Sequence, residues 1–377
     1  MIYWLYERLG GAPDGMFVRV IFRAAIAIMF SFTVVLLAGN KVIRWLLAQK
    51  VGDRPEFHNA TLNELTKHKG NTPTMGGILI IGTVLVTSFL FANVFRNFYV
   101  DMALLCLVYL SVLGGVDDWL KLTTARRTPG SRDGLYAWEK MVFQIGLGVL
   151  LAVFIYRHPE RMVAVQATVP DDAHRLNWPF FPSWIVLPAW LFAFLTVIVI
   201  TGSSNAVNLT DGMDGLAAGC MAIVSFAFLA LAYVTGDERW APQLHFNLVR
   251  DTAELSVVCG AMTGACLGFL WYNCNPAQVF MGDTGSLALG GVIGYVAIVI
   301  RQEPMLLLVG GIFVLEAVSV IMQVGYFRAT GGKRIFLCSP IHHHFHLKGW
   351  SEQQVVVRFW LISALCAAFG LATVKLR

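Results

Sequence analysis

The chain has 377 residues, 57% of them hydrophobic and 14% charged, with a formal net charge of +5. Soluble domains carry roughly 45–50% apolar and about 25% charged residues, so this composition excludes a water-soluble fold, which could not cover its surface with polar groups. The small positive balance is no nucleic-acid footprint and suits loop charge facing anionic lipid or substrate, while seven cysteines without a CxxC pair give neither a disulfide framework nor a zinc site.

A membrane-crossing helix needs roughly 20 mainly apolar residues, and the chain offers about ten such runs in a single domain, 1–377, without internal repeats. The runs are long and do not alternate, which favours helix over strand. Inside lipid only helices and closed barrels satisfy their own backbone. The expected fold is therefore all-α, a polytopic integral membrane protein.

The first run, 18–43, contains Arg19 and Arg23 and lacks a small-residue cleavage site, so it is expected to be a retained membrane helix and not a signal peptide. A basic stretch, Lys67-His68-Lys69-Gly70-Asn71-Thr72-Pro73-Thr74-Met75-Gly76-Gly77, leads into the second run, 75–95, as an anion-binding edge. The third run, 98–119, ends on Gly114-Gly115-Val116-Asp117-Asp118. Two adjacent carboxylates beside an apolar run are costly. They repel each other unless a cation intervenes, and Lys121 and a magnesium ion could both serve. Arg126, Arg127, Arg132 and Lys140 precede or open the fourth run, 138–156, and read as lipid-headgroup contacts.

The fifth and sixth runs, 184–202 and 214–235, flank Asn205-Ala206-Val207-Asn208-Leu209-Thr210-Asp211-Gly212-Met213-Asp214-Gly215. Read as the opening of the sixth helix, its four oxygen-bearing side chains lie at three-residue steps on one drifting face. A helix start there would offer free N–H groups to phosphate. Between the seventh and eighth runs, 253–272 and 285–300, Phe280-Met281-Gly282-Asp283-Thr284-Gly285-Ser286 sets one carboxylate in a glycine-flanked turn, which suits a magnesium ligand. The ninth run, 305–327, carries Glu316, an intramembrane acid and so a site candidate whose partner is not readable. Pro340-Ile341-His342-His343-His344-Phe345-His346 follows, suited to phosphate or sugar recognition through imidazole donors, before the tenth run, 354–373.

Alternation along ten helices puts every unusual cluster on one side. Lys41, Lys50, Lys67, Lys69, Lys121, Lys140, Lys333 and Lys348 flank that side, and only Lys375 falls on the other. By the positive-inside rule the clusters face the cytoplasm and both termini are periplasmic. A transporter would instead gather polar residues near the bilayer midplane, often in inverted repeats.

Taken in order, Asn71–Gly77, Gly115–Asp118, Asn205–Gly215, Phe280–Ser286 and Pro340–His346 resemble the polyprenyl-phosphate N-acetylhexosamine-1-phosphate transferases over most of the chain. The triple histidine favours the branch acting on UDP-N-acetylmuramoyl-pentapeptide over enzymes using UDP-N-acetylglucosamine. The resemblance implies a bacterial inner-membrane enzyme that passes phospho-N-acetylmuramoyl-pentapeptide to undecaprenyl phosphate, giving lipid I and UMP, with Mg2+ as cofactor and a homodimeric state. It implies Asp283 as metal ligand and Asp117 as the base toward the lipid phosphate. Asp118, Asn205, Asn208, Asp211, His342 and His343 would support substrate and metal. Lys69, Asp214 and Phe280 would approach the nucleotide, and Thr74 and His344 join the substrate-binding set. A phosphomonoester has its second pKa at about 6, so an attacking lipid phosphate needs little proton removal and Asp117 has a positioning role open to it. A covalent aspartyl intermediate also stays open.

Overall fold

The computed structural model describes residues 16–49, 72–127, 134–163, 175–178 and 184–374. Lys69 and the basic residues around it, Arg132 and the side chains of Arg126 and Arg127 lie outside the described residues. Among the described residues, nine helices are long and apolar enough to cross a membrane.

Apart from the short turn Trp240–Gln243, the α-helices among the described residues are α1 (Val20–Ala48), α2 (Gly77–Phe91), α3 (Phe98–Arg127), α4 (Ala137–Val163), α5 (Ala189–Thr210), α6 (Leu216–Gly236), α7 (Leu255–Asn273), α8 (Gly282–Val299), α9 (Glu303–Val309), α10 (Gly311–Ala329), α11 (Ile341–Leu347) and α12 (Glu352–Thr373). An antiparallel pair, β1 (Arg175–Asn177) and β2 (Trp184–Val186), interrupts an otherwise helical fold, with Leu176 opposite Ile185. It takes up the start of the expected fifth run, so α5 begins only after Pro188.

Two expected spans come out differently. The second run yields α2, whose 15 residues reach about 22 Å, short of the ~30 Å hydrocarbon core. Its start is consumed by Met75, at φ 67°, and by backbone bonds from Gly76 N to Phe280 O and Gly77 N to Met281 O, each 2.8 Å. Even so α2 connects the two ends of the bundle, because Phe91 O accepts from Arg23 Nη1 at 2.9 Å at its far end. The ninth run is split at Gly310 into α9 and α10.

α8 is the axis of the bundle, with every residue from Asp283 to Val299 buried. A helix that is apolar all round belongs inside, and small residues let its neighbours close on it. A Cβ on Gly290 would meet Ser203 O at 2.5 Å, and one on Gly291 would meet Leu110 Cδ1 at 2.0 Å. The same device joins α1 to α7. Gly260, Gly264 and Gly268 recur every four residues, and a Cβ on each would strike Ala24 O, Ile28 O or Phe32 O within 3 Å. Without a hydrophobic drive between helices in lipid, such close backbone approach supplies much of the association.

The contacts sort the helix ends into two faces. At one face Arg23 pairs with Glu254 (Nη1 to Oε2, 2.9 Å), Asn97 donates to Asp251 O at 2.7 Å and Tyr295 to Tyr99 O at 3.0 Å. Phe98 stacks on His158 with ring centroids 4.0 Å apart. The opposite face receives the end of α3, the starts of α4, α6, α8, α11 and α12, and the ends of α5 and α7. Every described polar cluster singled out in the sequence sits there.

Candidate active site

The first three N–H groups of α8 have no partner within the helix, and its N-cap Met281 supplies no side-chain bond. Other segments supply it. Asp211 Oδ2 accepts from Gly282 N at 3.1 Å. Asp118 Oδ1 accepts from Asp283 N at 3.1 Å, and its Oδ2 accepts from Thr284 N at 3.0 Å and Thr284 Oγ1 at 2.7 Å. Carboxylates at a helix N-terminus also complement its dipole. Gly114 makes this approach feasible, since a Cβ there would lie 2.1 Å from Asp283 O. Gly282, at φ 73°, leaves no space for a side chain beside Asp118 Oδ2 and Thr74 Oγ1.

With α3 docked this way, Asp117, Asp118 and Asp283 each bring a carboxylate oxygen within 4.8 Å of the others. Lys121 Nζ lies 2.6 Å from Asp117 Oδ2 and 3.1 Å from Asp283 Oδ2. Lys140 Nζ reaches the same two atoms at 2.6 and 2.8 Å. Asn208 Nδ2 donates to Asp283 Oδ1 at 2.8 Å and to Ser286 Oγ at 2.9 Å, and Leu135 N donates to Asp117 Oδ1 at 2.7 Å. Counted formally, two ammonium groups stand against three carboxylates. Burial, then the charges of Asp283 and Asp118, hold the Asp211 carboxyl well above its ordinary range. An all-oxygen donor set of three carboxyl groups fits a hard divalent cation. Both Asp118 oxygens accept backbone N–H bonds that hold the start of α8, and the Asp117 side chain is 0% exposed, whereas that of Asp283 is 13% exposed and accepts from the side chains of Asn208, Lys121 and Lys140. Of the three, Asp283 is the carboxylate most open to a cation arriving from outside.

The expected reading of Asn205–Gly215 needs correction. Asn205 and Asn208 close α5 and Asp211 follows it, while Asp214 sits in the turn before α6, where Gly215 takes φ 81°. A reversal here places Asn208 and Asp211 at α8 but sends the others elsewhere. Asn205 Nδ2 donates to Gln144 Oε1 at 2.7 Å on α4 and, among the described residues, makes no hydrogen bond to the three carboxylates. Asp214 Oδ2 accepts from Ala277 N at 3.0 Å and Asn275 Nδ2 at 3.1 Å, pinning the loop that leads to Phe280. Phe280 N in turn bonds Pro73 O at 2.8 Å, beside Thr74.

The histidines divide as well. His342 and His343 are buried, and a Cβ on Gly212 would meet their Nε2 atoms at 2.4 and 3.5 Å, so both rings adjoin the turn carrying Asp211. His344 turns away. Its Nδ1 accepts from Leu337 N at 3.1 Å, and its pKa is lowered by burial and by Lys348.

Lys140 is the main site residue misassigned from sequence, where it was grouped with headgroup contacts. The readable signal was its position four residues before Gln144 on an apolar helix, which places both on one face. Gln144 Nε2 meets Ser204 Oγ at 3.1 Å, so that face is turned to α5 and α8.

A family model described as glycosyl transferase family 4 matches residues 100–301, the segment from α3 to the end of α8 that holds all three carboxylates. The chain belongs to glycosyl transferase family 4. Its relatives include a phospho-N-acetylmuramoyl-pentapeptide-transferase of Desulfotalea psychrophila, 42% identical over the full length of both chains. A protein of the same name from Thermodesulfovibrio yellowstonii is 42% identical over 99% of this chain and 100% of its own. One from Rickettsia bellii is 39% identical over 96% of this chain and 95% of its own. The glycosyl transferase family 4 match ends before the histidine segment, which the full-length relatives cover.

Proposed function

We propose that this membrane enzyme transfers phospho-N-acetylmuramoyl-pentapeptide from UDP-N-acetylmuramoyl-pentapeptide to undecaprenyl phosphate, releasing UMP and forming lipid I. The observation that carries this reading is the cluster of Asp117, Asp118, Asp283, Lys121 and Lys140 at one end of a membrane bundle. Two anionic phosphates must meet there, so charge neutralisation is the central problem. Magnesium, held by Asp283 beside Asp117, would supply Lewis-acid stabilisation of the diphosphate. Lys121 and Lys140 bring positive charge to the same point. Asn208 and Ser286 orient the Asp283 carboxylate, and Asp118 and Asp211 fix the helix start that presents it. His342, His343 and Thr74 border the substrate space, and Lys69 and Phe280 are assigned to the nucleotide. The lysine bias supports a cytoplasmic site in the inner membrane, and the family resemblance supports a homodimer.

UMP release from purified protein given undecaprenyl phosphate and each nucleotide sugar in turn tests the reading. Turnover is expected with the muramoyl-pentapeptide donor, lost on chelation and restored by magnesium. Turnover with UDP-N-acetylglucosamine alone would refute the donor assignment.

The lipid phosphate attacks directly, since it is already an anion and gains little from a protein relay. No UMP should therefore appear until the acceptor lipid is added, and a stoichiometric burst without lipid would establish a covalent aspartyl route instead. Asp117→Asn is expected to lower kcat by about 10²-fold, the scale of misplacing a reacting group, while KM for the nucleotide sugar stays within about threefold. A rise in KM at unchanged kcat would reassign Asp117 to ground-state binding.

A further inference from the structure

We infer that Glu316, deep in α10, positions His342 for the transfer reaction by fixing its Nδ1 and thereby confining the ring's substrate-side chemistry to Nε2. Glu316 is 0% exposed within a membrane-spanning helix, and a carboxylate there is expensive unless it has a partner and a task. Among the described residues, the one cation-capable group within ion-pair distance of it is His342, whose Nδ1 lies 3.1 Å from Glu316 Oε2 with the histidine also 0% exposed. The two atoms lie within ion-pair distance without a formed hydrogen bond, so the pair is poised to make one. Such contacts tighten when a site is occupied.

The other side of the ring meets the active-site turn. A Cβ on Gly212 would lie 2.4 Å from His342 Nε2, so the glycine is what lets the imidazole lie against the residue following Asp211. Asp211 in turn binds the first N–H of α8, one residue before Asp283. Glu316, His342, the Gly212 turn and the start of α8 therefore form a continuous series of contacts from the bundle interior to the carboxylate cluster. The hydrogen bond made by one imidazole nitrogen decides the state of the other, and outer partners of this kind are worth about 10–100-fold in function. Glu316 touches no substrate in this arrangement. It acts through His342 and is a positioning residue.

The inference rests on the proposed transfer reaction, and purified full-length protein with UDP-N-acetylmuramoyl-pentapeptide and undecaprenyl phosphate tests it. Glu316→Met, close in volume and compatible with an apolar interior, should lower kcat by about 10–100-fold with KM for the nucleotide sugar within about threefold. Glu316→Gln, whose amide oxygen still accepts from Nδ1–H, should keep at least about a third of wild-type kcat. His342→Gln should match Glu316→Met, and the double variant should be no slower than His342→Gln alone, because coupled residues are not additive. Unchanged kcat in Glu316→Met, or losses that multiply in the double variant, would overturn the inference. So would a lowered melting point with kcat intact. Should Glu316→Met not accumulate as folded protein, Glu316→Gln decides, and a loss deeper than threefold overturns it. Wild-type protein that releases no UMP refutes the transfer reading itself, which is a separate result.

Discussion

Replacing Asp283 with Asn is expected to lower UMP release by at least about 10³-fold, the scale set by several kcal/mol of metal stabilisation. Asn keeps the shape of the side chain and the backbone N–H that bonds Asp118 Oδ1 at 3.1 Å, so the start of α8 stays capped. Asn208 Nδ2 still finds an oxygen to donate to. What disappears is the charge that a hard cation requires and that Lys121 and Lys140 share. The thermal midpoint in detergent should move by only a few degrees, as expected for about 1 kcal/mol or less in a chain of this size. Activity within threefold of wild type at ordinary magnesium would remove Asp283 from the metal site.

The second large effect is expected from one methyl group. Gly114→Ala would put Cβ 2.1 Å from Asp283 O and 2.4 Å from its carbonyl carbon. Both are backbone atoms, so no side chain can rotate aside and α3 must back away from α8. Asp117 and Asp118 ride on α3, and a displacement near 1 Å at reacting groups costs about 10²-fold. Overpacking should also destabilise by about 1–3 kcal/mol. Gly115 is the control, because its Cβ would come no closer than 3.6 Å to Thr284 Oγ1. Gly115→Ala should keep most of the activity and stability. If the two variants turned over equally, the close approach of α3 to α8 would not be what assembles the carboxylates.

The apolar runs and the five polar clusters were legible because lipid imposes a length and penalises stray charge. The faces of the helices were not legible. In a water-soluble helix the buried side is apolar and the other polar, but both lipid and protein interior are apolar. α1 and α8 therefore read alike, although Leu37 on α1 is 74% exposed and α8 is buried throughout. The same loss of contrast hid the break at Gly310 and the true length of α2, both set by contacts with distant segments. Asp117, Asp118 and Asp283 stood out as charges. Their division of labour did not, because it depends on which oxygen meets which N–H. Lys140 was hidden by its abundance class, a basic residue at a helix end, which elsewhere on such a protein faces headgroups.

Arg23 and Glu254 are separated by 231 residues, and their bond joins α1 to the residue that caps α7, in the second half of the chain. During synthesis α1 reaches the bilayer carrying an arginine whose carboxylate counterpart has not yet been made. The Phe91 carbonyl that also receives Arg23 arrives earlier, with α2. Complete charge compensation at this end of the bundle must wait for α7, whose glycine stripe fits the same helix. Truncation before residue 254 removes the anion and the glycine stripe together, so an N-terminal half keeps the Arg23 cation but neither the carboxylate nor the surface that receives α1.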